Sequence, residues 1–134
     1  MAGITSVTIN GLNIADGTIY ESGAAMASAL EAADPYEALF LEMSGRPDYY
    51  VRAEIQERVI PLVVHLLGTT FAARQAAFDT IKTAIIPGLL NCDWVRDGIT
   101  RRYIVNVTSA PLTDTFFHRV TGELTAADPR AITV

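Results

Sequence analysis

The chain has 134 residues, 50% hydrophobic and 19% charged, with a formal net charge of −5, a length that suits one domain and a balance that suits a packed core rather than disorder. The acidic excess argues against a general nucleic-acid binder, because phosphate contacts need a basic surface, and no apolar run approaches the roughly 18 residues that cross a bilayer. The opening Met1-Ala2-Gly3-Ile4-Thr5-Ser6 lacks the basic and apolar regions of a signal peptide, so synthesis and retention in a cytoplasm are expected, and the single cysteine, Cys92, allows no internal disulfide.

In chain order, Thr5-Ser6-Val7-Thr8-Ile9 alternates and ends in Asn10-Gly11, a strand followed by a hairpin-type turn. Leu12-Asn13-Ile14 is a second short run, Asp16-Gly17 a second turn, and Thr18-Ile19-Tyr20 a third short strand. Together they read as a meander at a sheet edge. Segment 22–33 is rich in alanine, which favours helix but does not report a face, so a short helix and an ordered arm fit it equally. Asp34-Pro35 ends it either way. Residues 36–43 read as a strand partly covered on both faces, Ser44-Gly45-Arg46-Pro47-Asp48 as a turn, and 49–56 as a strand alternating after Tyr50.

The pattern is sharpest over 58–98. An apolar strand fills 59–67, where Pro61 implies an edge position or a bulge. The helix expected over 71–86 places Phe71, Phe78, Ile81 and Ile85 on one face, with a cap at Thr69 or Thr70 and a stop at Pro87-Gly88. Strands 89–96 and 99–107 flank Asp97-Gly98, the strongest hairpin signal in the chain. A loop is expected over 110–114, then a strand over 115–125. The sum is a mainly β (α+β) single domain over 1–134: sandwich-like antiparallel sheets with one principal amphipathic helix packed on a sheet.

A site for chemistry is not found. His65 lies in an apolar run, where a core or interface histidine is the commoner case, and His118 follows Phe116-Phe117. The pair lacks metal-ligand spacing, so no metal is expected. Glu54 and Glu57 point to opposite faces of a strand; Asp93 and Asp97 sit beside a turn that favours carboxylates. No phosphate loop, dinucleotide fingerprint or nucleophile elbow is present, so neither cofactor nor catalytic residue is assigned. A ligand-binding module lined by Tyr49, Tyr50, Trp94 and Tyr103 is the alternative. Spare apolar surface with exposed strand edges points instead to self-association.

Four features in order resemble the distal tail protein of long-tailed siphophages, in its ring-forming N-terminal domain. They are the strand ending Ile9-Asn10-Gly11, the run Arg58-Val59-Ile60-Pro61-Leu62 leading to Gly68 and an amphipathic helix, the turn Asp97-Gly98 before Arg101-Arg102-Tyr103-Ile104-Val105-Asn106-Val107, and the close Leu124-Thr125-Ala126-Ala127-Asp128-Pro129. The resemblance implies a virion structural protein without catalytic residues. It implies a homohexameric ring at the tail tip, made in the host cytoplasm, with the tail tube on one side and the tail hub or fibre on the other. Another tail component, such as a tube, terminator or baseplate ring protein, fits the same features. No C-terminal carbohydrate-binding domain is expected. From exposure and edge position, the expected subunit contacts are Asn10, Gly11, Met26, Leu30, Arg96, Asp97 and Arg101.

Overall fold

Asn-Gly and Asp-Gly turns frame the sheet in the computed structural model, which describes residues 3–33, 36–41 and 49–134, with 36–41 and 49–55 described by their backbone. Strand β1 (Ile4–Ile9) turns through Asn10 (φ 49°) and Gly11 (φ 84°) into β2 (Leu12–Asn13). Strand β7 (Leu90–Arg96) turns through Asp97 (φ 54°) and Gly98 (φ 75°) into the 15-residue β8 (Ile99–Thr113). In each case two residues with positive φ separate directly paired strand ends, the geometry that matches strand twist and that Asn or Asp followed by Gly adopts at least cost. The other elements are β3 (Tyr20–Ser22), α1 (Ala24–Glu31), β4 (Tyr36–Leu41), β5 (Tyr49–Ile55), β6 (Arg58–Leu66), α2 (Phe71–Ala84), β9 (Arg119–Ala126) and β10 (Ile132–Thr133).

The main sheet is antiparallel throughout, in the order β2-β1-β7-β8-β9-β6-β3, with β10 beside β8. The mainly β, α+β class is as expected, with two helices among the described residues, and β3 corrects the expected edge meander. It pairs with β6 at the far edge from β1 and β2. The redirection starts at Asp16, whose Oδ1 accepts the amides of Thr18, Ile19 and Tyr20. Tyr20 is then buried, its hydroxyl donating to Ala77 O of α2.

Strand β8 joins two halves of the sheet. Residues Ile99 to Val105 pair with β7, and from Asn106 onward the strand pairs with β9. The register slips between Val107 and Ser109 and again between Ser109 and Leu112. Such bulges bend a strand, so β8 continues through Ala110 and Pro111, where a loop was expected. Gly122 sits against the bend: a Cβ there would lie 2.9 Å from Ser109 O.

One core serves both halves. Val7, Ile9, Cys92, Trp94, Tyr103 and Val105 meet Ile60, Leu62, Val64, Val120 and Leu124 in a single buried cluster. Helix α1 adds Met26 and Leu30 to it, and α2 adds Ala77, Phe78 and Ile81. Thr70 caps α2, its side chain accepting from Ala73 N. Phe71 leaves the helix's buried stripe and packs edge-on against Phe117 at 5.2 Å.

Pro61 lies on a half-open edge. Leu66 donates to His118 O, whereas Val63 O accepts from Gly23 N, so the even positions of β6 pair with β9 and the odd positions face the other way. The β3 pairing covers only Val64 to Leu66, and the missing N–H of Pro61 costs no ladder bond. Strands β4 and β5 form a separate two-stranded sheet between α1 and β6. The expected turn over 44–48 lies outside the described residues.

Candidate functional site

The two histidines do not form a site. His65 is half-buried on β6, opposite Glu21 on one side and Arg119 on the other. His118 is exposed at the β8–β9 turn, its ring 6.4 Å from that of Phe116. Among the described residues, no group of three or more His, Cys, Asp or Glu side chains is placed to hold a metal. Burial, helped by the Asp93 charge, pushes the Cys92 thiol up to about 12, which leaves it without thiolate character at neutral pH. Asp93 is held by Arg102 through two bonds of 2.7 and 3.0 Å. Trp94 and Tyr103, named above as ligand-lining aromatics, stack on each other in the core at 6.2 Å. Tyr49 and Tyr50 have side chains outside the described set.

The expected contact residues separate into three groups. Asn10 and Gly11 are exposed at one end of β7, where Asn10 Nδ2 donates to Ala84 O and so caps α2. Arg96 and Asp97 occupy the other end, with Arg96 bonded to Glu31 at 2.5 Å and to Asp97 at 3.7 Å. Arg101 is exposed, its guanidinium 5.7 Å from the Trp94 ring centre. Met26 and Leu30 are corrected: both are fully buried in the core and present nothing to a neighbour. Alanines on either side gave no indication of which way α1 would face.

A surface the sequence reading did not assemble lies on the outer side of β1, β7, β8 and β10. Directly paired residues share a face, so Thr8, Asp93, Arg102 and Ile132 form one row across four strands. The Arg102–Asp93 pair is partly buried at its centre, and Ile104 and Ile132 remain about half exposed. Alternation in 99–107 identifies the β8 part of this face; β10, only two residues long, gives no periodic signal. A second feature is a groove of about 470 Å³ between the 12–20 segment and α2, lined by Leu12, Ile19, Tyr20, Ala73, Ala76 and Thr80.

Arg58 is the functional-looking residue that turns out to be structural. It is 4% exposed, donating to Pro129 O, Ala29 O and Ala32 O, with its guanidinium 4.9 Å from the Tyr103 ring centre. A cation at the last carbonyls of α1 suits the helix dipole.

The architecture defines the chain as a mainly β, α+β protein. No family model matches it, and no curated protein matches either. In fold it is similar to the Dit (gp 19.1) protein of phage SPP1, whose crystal structure is described as a paradigm of the hub adsorption apparatus in phages infecting Gram-positive bacteria. The TM-score is 0.67 at 11% identity, over 96% of this chain and 52% of that one. The chain thus spans about half the length of the solved protein it matches. Among the described residues, no helix is long and apolar enough to cross a membrane.

Proposed function

We propose that this protein is a structural subunit of a long phage tail. It assembles with copies of itself into a ring, a hexamer by analogy, at the distal end, where the tube meets the hub or fibre. The observation that carries the reading is the fold similarity to SPP1 Dit over 96% of the chain. The surface supports it. Among the described residues, the outer face of β8 and β10 leaves Ile104 and Ile132 about half exposed beside the Arg102–Asp93 pair, and exposed apolar surface rimmed by polar groups often marks an interaction site. Asn10-Gly11 and Arg96-Asp97 stand at opposite ends of β7, so the two ends of the strand are available to different neighbours. A ring needs such unlike patches to meet head to tail.

The role is mechanical. Rigid hairpin turns fix the ends of β7 and β8, and the single core holds both sheet halves and both helices at set angles. Electron microscopy of tails from a phage carrying a tagged copy of the chain tests the proposal. Label in a ring at the distal end is the expected result. Label absent from tails contradicts it, and label along the tube moves the chain to another tail component.

The groove beside α2 favours a second reading, a small-ligand or peptide module. Its lining is mostly apolar but includes Asn13, Asp16, Thr18 and Thr80, as in sites that bury a ligand and orient it by a few polar groups. A thermal-shift screen with a saturable hit that is lost in Ala76→Trp would move the proposal there.

A further inference from the structure

Four asparagines occur in the chain, and only Asn10 precedes a glycine. An asparagine side-chain amide is open to attack by the backbone nitrogen of the next residue, which closes a succinimide ring. Bulky or hydrogen-bonded neighbours oppose that closure, and the fold supplies one at the other three positions. Ile14, after Asn13, is buried and donates its N–H to Val7 O. Cys92 and Val107, after Asn91 and Asn106, are paired within the sheet. Gly11 differs on each count. It is exposed in the turn, outside the β1–β2 ladder, and a Cβ there would meet nothing within 4 Å.

The fold also restrains Asn10. Its Nδ2 donates to Ala84 O at 2.8 Å, the last residue of α2, and that bond fixes the amide. The bond is exposed, and local opening of such a turn costs far less than global unfolding. A polar pocket of about 310 Å³ lies alongside, lined by Thr8, Asn10, Gly11, Asn91, Asp93 and Arg102 among others. It gives the released side chain room to turn and admits water.

We infer that Asn10 is a site of spontaneous modification, guarded by the Ala84 bond, whose products uncap α2. When the turn opens, Gly11 N bonds to Asn10 Cγ and the Cγ–Nδ2 bond breaks. The proton from Gly11 N leaves with Nδ2 as ammonia. Water then opens the ring, hydroxyl adding to one of its carbonyl carbons and a proton returning to Gly11 N, to give aspartate or isoaspartate. Either product replaces the donor to Ala84 O by a carboxylate, at the helix end where a negative charge is unfavourable. Isoaspartate also lengthens the backbone by one carbon, which a two-residue turn does not accommodate. The chemistry needs only the folded chain and water, and holds whether or not copies assemble.

The test incubates the full chain at mildly alkaline pH, with amide loss located by peptide mass spectrometry. Asn10 is expected to convert at least about tenfold faster than Asn13, Asn91 or Asn106, and about tenfold more slowly in the folded chain than in urea, because opening limits it. In the aged chain the last turn of α2 and the β1–β2 hairpin should exchange amide hydrogens faster, with β6 and β9 unchanged. Asn10→Asp should loosen α2 alone, since Asp97-Gly98 shows that aspartate holds the same kind of turn. Earlier conversion at another asparagine overturns the inference. So do equal rates in the folded and unfolded chain, which would remove the guard, and unchanged exchange of α2 in both the aged chain and Asn10→Asp, which would remove the uncapping.

Discussion

The body and the β4–β5 arm are built on different terms. In the body, the local pattern of eight strands is irrelevant until two sheet halves and two helices share one core, from Val7 and Ile9 to Leu124 and Ala126. Its charges close locally, as in the bidentate Arg102–Asp93 pair, and its one deeply buried cation, Arg58, is surrounded by carbonyls. The arm has a paired backbone and no further strand neighbour among the described residues, and it concentrates the acidic excess. Burial stabilises the body, at the cost of fixing its shape. The arm is held by the pairing of its own two strands.

The largest expected effect breaks or confirms that division directly. Leu62 is fully buried, and Leu62→Ala should cost about 2–5 kcal/mol in urea unfolding. Backbone amides of β4 and β5 should exchange faster than those of β6 and β9. Equal protection would mean that the arm belongs to the same cooperative unit. Next in size is Arg58→Leu, which strips donors from Pro129, Ala29 and Ala32 at the junction where the arm returns to the body. Leaving buried carbonyls unpaired should cost about 3 kcal/mol. Arg58→Lys should recover little of it, since an ammonium lacks the planar fork. Gly122→Ala forces a Cβ toward Ser109 O and should cost about 1–3 kcal/mol, with the loss confined to the β8–β9 bend and the arm's exchange rates unchanged.

The smallest effect is on acid stability. Burial tends to raise the Asp16 carboxyl, but the amides of Tyr20, Thr18 and Ile19 outweigh it and hold the group below its ordinary value. A carboxylate lowered on folding stabilises the fold above its unfolded pKa, about 3.9, and loses that contribution as pH falls through the lower folded value. Asp114 and Asp128 are lowered in the same sense: the amide of His118 leads for the first, the Arg130 side chain for the second. Stability curves of the parent chain and Asp16→Asn should therefore converge as pH falls below about 4. A constant gap down to pH 2 would show that the turn does not depend on the charge.

Much of the body could be read from its residues because local chemistry and tertiary context agree there. Asn10-Gly11 and Asp97-Gly98 adopt the turns their dipeptides favour, and the 71–86 pattern is a helix from Phe71 to Ala84. Pro61 sits on the open side of β6, as its missing donor requires. The misreadings arise where a long-range contact overrides the local signal. The 22–33 segment gives no face because alanine does not define one, and only packing decides that Met26 and Leu30 point inward. The Ala110-Pro111 signal suggests a loop, but bulges carry the strand past it. The run at 18–20 promises a neighbouring strand, whereas the Asp16 turn sends Tyr20 to the opposite edge. The candidate surface was half legible. The two turns and Arg101 are exposed, but the row from Thr8 to Ile132 joins residues from four strands and exists only in the folded register.

Native mass spectrometry of the purified chain across a hundredfold concentration range tests the central claim of self-assembly most directly. A single closed species of fixed copy number, six by analogy, is the expected result. A monodisperse monomer at every concentration would contradict the account.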